Sequence, residues 1–299
     1  MNQTKIFKKI SIITFLLFIY TFSFCQDLPA YFKVATVPEP IEEAAKNVKT
    51  ALQAGGFEIL GDYHPENNVE LYVIVFTRND LKEITFNVNE GGALASALKI
   101  GFVRKDSKTI ISLLNPEYLF YGYLRDNVED YSELKKISDD TKATLKSVGT
   151  DFEPFGGELS IKKLKKYHYM VGMPYFDDMV KLMEFPSFST GVETIKKNLQ
   201  EDLGKTIKVY ELINQENKIA IFGVGLINSA EGEAKFLPII GEDHIAAMPY
   251  EIILQGNNAT MLHGRFRIAL HWPDLTMGTF TKIMSTPGKI EDFMKELME

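Results

Sequence analysis

One cysteine, Cys25, serves the whole 299-residue chain. That scarcity rules out a disulfide framework and any site built from several thiolates. Positive charge is also short, with 33 basic residues against 40 acidic and a formal net charge of −7. An acidic surface repels phosphate backbones, so nucleic acid is not an expected partner. Nucleophile elbows, Walker loops, paired-cysteine zinc sites and His-Glu-x-x-His are all missing. Gly223-Val224-Gly225 starts like a dinucleotide loop, but it lies inside an apolar strand-like run and position 228 is Asn. Close backbone approach within a sheet explains that pair better. The expectation is no metal, no cofactor and no assignable reaction.

Long apolar runs are absent except at the start. Lys5, Lys8 and Lys9 precede an apolar stretch from Ile10 to Phe24 with only Ser, Thr and Tyr as polar breaks, and Ser23 and Cys25 stand three and one residues before Gln26. This is the layout of a secretory signal peptide over residues 1–25. It implies an exported protein, periplasmic or extracellular. An uncleaved anchor is the alternative, and lipid anchoring at Cys25 ranks lower because Phe24 is bulky. Cleavage before Gln26 would leave 30 basic and 40 acidic residues, a net charge of −10, on about 274 residues. That length suits two domains.

The remainder divides into two blocks of similar order. In residues 26–149, Tyr31–Val37 reads as a strand. Ile41, Ala44, Ala45, Val48 and Leu52 share one helical face, closed by Gly55-Gly56. Phe57–Tyr63 and Val69–Thr77 read as strands, the latter apolar on both faces. Leu98–Arg104 and Thr109–Leu114 form a hairpin, Asn115-Pro116-Glu117 opens a helical segment, and Tyr131 to Leu145 marks a closing helix. In residues 179–299, Val180–Phe185, a helix capped at Thr190 with Val192, Ile195, Leu199 and Leu203 inward, and the strands Thr206–Ile213 and Lys218–Ile227 repeat that order. A second hairpin is expected from Pro249–Gln255 and His263–His271, followed by a helix from Thr286. The pattern Ile-x-Leu-x-x-Pro-acid occurs at Ile111–Glu117 and again at Ile268–Asp274, which suggests a tandem repeat. Residues 150–178 form an aromatic-rich connector with a flexible Gly156-Gly157.

Each block resembles the bacterial family labelled domain of unknown function 302. The carrying residues are Gly56-Phe57, Val75-Phe76-Thr77 and Val103 through Leu119, then Ile221-Phe222-Gly223, Met248–Ile252 and Ile268–Leu275. The resemblance implies a compact domain with an antiparallel sheet and helices against it, and no reaction. The expected fold class is therefore α+β: two homologous domains, each an antiparallel sheet with helices packed on it, closed as an intramolecular pseudo-dimer. A sheet apolar on both faces needs a second cover, and a tandem copy supplies it, leaving a monomer.

Candidate site residues are few. Glu117 and Asp274 are better explained as acids at helix N-termini than as a catalytic pair. His263 and His271, eight apart on one strand, would stand roughly 27 Å from each other, too far to share a metal. The expected strand at 263–271 alternates Phe266, Ile268 and Leu270 with Arg265, Arg267 and His271. Such a cationic face, with His263 or His244 nearby, is the one candidate for holding a small anionic ligand. Two functions follow: a non-catalytic binding or structural envelope module, or an anion-binding protein or enzyme using Arg265, Arg267, His271, His263 and His244.

Overall fold

The structure is a computed structural model that describes residues 27–201 and 205–299. The signal-peptide expectation, Cys25 and Leu203 lie outside the described residues. The fold is α+β, with two antiparallel sheets and helices.

The first sheet contains β1 (Asp27–Val37), β2 (Glu58–Tyr63), β3 (Leu71–Thr77), β4 (Leu98–Lys105), β5 (Lys108–Leu114) and β6 (Glu153–Ser160). Their order across the sheet is β2-β3-β4-β5-β1-β6. Helix α1 (Ile41–Ala54) buries Ile41, Ala44, Ala45, Val48 and Leu52, the stripe expected from its period. It lies on the face carrying Tyr72: Lys49 of α1 donates to the Tyr72 hydroxyl at 3.0 Å. Phe76, on the same face, meets Phe57 edge to face. Short α2 (Asn79–Thr85) follows β3. Helices α3 (Pro116–Leu124) and α4 (Ser132–Leu145) close the unit.

After a short helix α5 (Ile161–Lys165), the second sheet follows. It comprises β7 (Val180–Glu184), β8 (Ile207–Asn214), β9 (Ile219–Gly225), β10 (Tyr250–Gln255) and β11 (Asn258–Met261). Their order is β7-β11-β10-β9-β8. Taken by position in the chain, this is the order β1-β5-β4-β3-β2 over again. Helix α6 (Phe188–Gln200) covers one face, where the Leu254 side chain abuts Gly191. Short α7 (Leu237–Ile240) lies between β9 and β10, and the chain ends through α8 (Gly264–His271), α9 (Met277–Phe280) and α10 (Thr286–Glu296).

The faces of the two sheets not covered by α1 and α6 meet across the molecule. In the first sheet, Val73, Gly101 and Ser112 stand in register on that face. Gly101 sits so close to Ile245 and Ala246 that a Cβ there would overlap both. Residues 242–247 of the second unit thus lie on β3, β4 and β5, while residues 92–96 of the first approach β9. The edge strands β2 and β8 also touch, and a side chain at Gly61 would overlap the Val209 carbonyl.

Several expectations are corrected. Residues 264–271 are helical, not a strand; the real partner of β10 is β11, joined through the two-residue turn Gly256-Asn257 with Gly256 at φ 60°. The cause of the misreading is burial. Arg267 and His271 are polar, as a cationic strand face requires, yet both are sealed inside, four apart on one helical face. The two Pro-acid motifs are consequently not equivalent: Pro116 begins a helix, whereas Pro273 follows one. Helix α6 starts earlier than expected, with Ser187 as its cap accepting from the Thr190 amide. Gly156-Gly157 is no flexible hinge. Both glycines are part of β6, at φ 78° and 79°, where side chains would press on His244, Tyr31 and Pro273.

Candidate functional site

Polar groups concentrate where the two inner faces meet. Lys99 is the second residue of β4 and Glu251 the second residue of β10, the corresponding strand. Their partners correspond too, Val75 on β3 and Gly223 on β9. The ammonium and carboxylate form an ion pair with side chains 1% and 3% exposed. Burial pulls the Lys99 pKa down, an effect that Glu251 opposes and Arg267 reinforces. Arg267, delivered by α8, lies flat over the Tyr250 ring with Cζ 3.8 Å from its centre. Its Nη2 donates to the Pro249 carbonyl at 2.6 Å and to that of Ala247, and stands 3.4 Å from Glu251. Burial works against the Arg267 charge, but Glu251 and the surrounding tyrosines more than restore it, so its pKa is raised. One carboxylate thus serves two cations in a buried contact.

A second layer joins α3 to α8. Asn115 caps α3 by accepting from the Glu117 amide, and His263 caps α8 by accepting from the Arg265 amide, each at 3.2 Å. Eight residues beyond these caps stand Tyr123 and His271, and the tyrosine hydroxyl lies 2.9 Å from His271 Nε2. The hydroxyls of Tyr31, Tyr118 and Tyr167 donate to the carbonyls of His271, Leu270 and Ala269 at 2.7–2.9 Å. Burial, with Arg267, Lys99 and His244 behind it, pushes the His271 pKa well below its ordinary value. His244 is packed among Tyr31, Phe155 and Trp272, 3.7 Å from Asp274, and burial lowers its pKa as well. Nearby, Glu233 accepts from the Tyr63 hydroxyl at 2.8 Å and from the amides of Leu226 and Glu66 at 3.1 Å.

The five residues singled out from the sequence are therefore divided. Arg267, His271 and His244 are interior and belong to the contact between units. His263 and Arg265 are on the outside, where they line an open groove of about 590 Å³ with His168, Val171, Met173 and Tyr175. The two arginines are two apart on a helix and point to opposite sides, so they form no clamp. Lys99 and Tyr123 went unread because a lone polar group inside an apolar run is visible as a partner only once its opposite number is known. Glu117, as expected, stands at a helix N-terminus, with Lys135 and Lys142 each 4.0 Å away. Gly223 and Gly225 are in β9, where side chains would strike Tyr210 and Tyr63, the close approach expected of them. Among the described residues, no helix is long and apolar enough to cross a membrane.

No protein-family model matches this chain, and no curated protein does. Among solved structures it is similar to a crystal structure described as an uncharacterized conserved protein DUF302 from Bacillus stearothermophilus. The identity is 16% and the TM-score 0.33, over 42% of this chain and 98% of that one.

Proposed function

We propose that this chain is an exported, non-catalytic binding module made of two like units, residues 26–149 and 179–299, closed on each other as an intramolecular pseudo-dimer. The reading rests on one observation: corresponding positions meet each other. Lys99 faces Glu251, Tyr123 faces His271, and β2 touches β8. Contacts between equivalent patches are the mark of a closed twofold pair. Several chemistry-bearing side chains of the interior find their partner in the other unit: Glu251 in Lys99, His271 in Tyr123, and Glu233 in Tyr63.

Unfolding of the mature protein tests the reading. A single cooperative transition and a monomeric elution volume are expected. Glu251→Gln should cost about 3–5 kcal/mol, because it leaves two buried cations uncompensated. Lys99→Met should cost less, because Glu251 keeps Arg267. Two separate transitions in the parent, with Glu251→Gln moving only the second, would refute the pairing.

A second reading is favoured by the outward pair. His263 and Arg265 share a groove with His168 and Asp178, and the Arg265 guanidinium with the two imidazoles suits a small carboxylate or phosphate held away from Asp178. A thermal-shift screen of such anions should stabilise the parent, and Arg265→Ala should remove the effect. No shift with any anion would retire this reading and leave the first intact.

A further inference from the structure

The connector presents a feature that closure of the two units does not use. Residues 161–176 carry Lys162, Lys163, Lys165 and Lys166 and no acid before Asp177 and Asp178, in a chain of net charge −7. Lys165 pairs with Asp126 at 3.3 Å. Lys162, Lys163 and Lys166 are exposed and have no ion-pair partner among the described residues. Directly after them comes a tight turn whose tip is apolar: Val171 is 96% exposed, Met170 47% and Tyr175 51%.

The tip is held out rather than left loose. His168 stacks on Tyr175 with ring centres 4.0 Å apart and planes 7° from parallel, and its Nε2 donates to the Met173 carbonyl at 2.8 Å. The Met173 amide bonds back to Met170, Gly172 takes a left-handed φ of 83°, and the Tyr175 amide donates to Asp178. At the base of the turn the Tyr167 hydroxyl is anchored on α8. Tyr169 and Met173 continue into a small apolar cleft shared with Met277 and Phe280, and Met277 is itself 47% exposed. Arg265 borders both the cleft and the groove.

We infer that this surface docks on an anionic lipid bilayer, with Val171 and Met170 entering the headgroup boundary and Lys162, Lys163 and Lys166 resting on the lipid phosphates. Apolar side chains in a rigid tip gain by leaving water, and aromatic rings beside them suit the interface. Lysines add attraction that depends on the negative surface potential and fades with salt. The acidic remainder of the protein is repelled by the same surface, so the contact is oriented and shallow. This goes beyond the proposed closure of the two units, whose buried contacts it does not involve.

Co-sedimentation with vesicles tests it, using the chain from Gln26, which lacks the apolar run 10–24 that would itself partition into lipid. The parent should pellet with vesicles containing phosphatidylglycerol and far less with phosphatidylcholine alone, and raised salt should release it. Val171→Asp, and the triple change Lys162→Gln, Lys163→Gln and Lys166→Gln, should each lower the bound fraction at least fivefold. Val171→Trp should shift its emission to the blue on phosphatidylglycerol vesicles. All these positions are exposed, so melting temperatures should match the parent. The inference is overturned if the parent does not pellet with anionic vesicles, or if Val171→Asp binds them equally well. It is likewise overturned if inorganic phosphate at constant ionic strength displaces the protein, since the groove would then be a small-anion site. Each of these outcomes is independent of how the protein unfolds, and therefore of the fate of the pseudo-dimer.

Discussion

At the scale of single residues, the buried histidines give the protein a direction on the pH axis. His271 is neutral inside, while in the unfolded chain it titrates near its ordinary 6.5. A base whose folded pKa is depressed contributes its full stability above the unfolded pKa. That contribution declines as pH falls below about 6.5, by about 1.4 kcal/mol per pH unit for one such group. His244 acts in the same sense. Glu66 acts in the opposite one: burial, then Glu242 and Glu233, raise it to about 7, so its protonated form is preferred when folded and it favours folding as pH drops from there. Urea midpoints at pH 7.5 and 5.5 in the parent therefore report the balance of these opposing groups. Replacing His271 removes one group that acid turns against the fold, so the change in midpoint on acidification should be clearly more favourable in His271→Gln than in the parent, whatever that variant's stability at neutral pH; an unchanged slope would mean that His271 is not the proton acceptor. None of this was legible in the sequence, where a histidine beside a tryptophan carries no mark of its depth.

Elements were read well where their period is set by apolar residues alone. Helix α1 and the strands β2, β3, β4 and β5 were placed within two residues at each end, because turns with glycine or a Lys-Asp-Ser-Lys sequence punctuate them. Helix α8 was misread because it buries an arginine and a histidine, which breaks the link between polarity and exposure on which period-reading depends. The meeting of edge strands was invisible for a different reason. Gly61 looks like any glycine in a strand, yet it is where β2 makes room for the β8 backbone. Gly61→Ala should push these strands apart at a cost of about 1–3 kcal/mol. In hydrogen exchange, faster exchange is expected at the first-unit amides along β2 and at the second-unit amides along β8. Loosening confined to β2 would show that the two edges do not depend on each other.

Across the whole molecule, the α+β class with antiparallel sheets was legible from order and spacing, although Pro116 begins a helix and Pro273 follows one. The correspondence runs through Asn115 and His263, which cap α3 and α8, and no residue type is shared between those positions. Fusion has a consequence of its own. A dimer of separate chains comes apart when diluted. With both partners on one chain, the local concentration of each around the other is set by residues 150–178 and does not change with the amount of protein present. The freedom this gives extends to substitution. In a pair of identical chains every change arrives twice, so a lysine at position 99 would have met a lysine. Here the two corresponding strand positions carry opposite charges, Lys99 and Glu251.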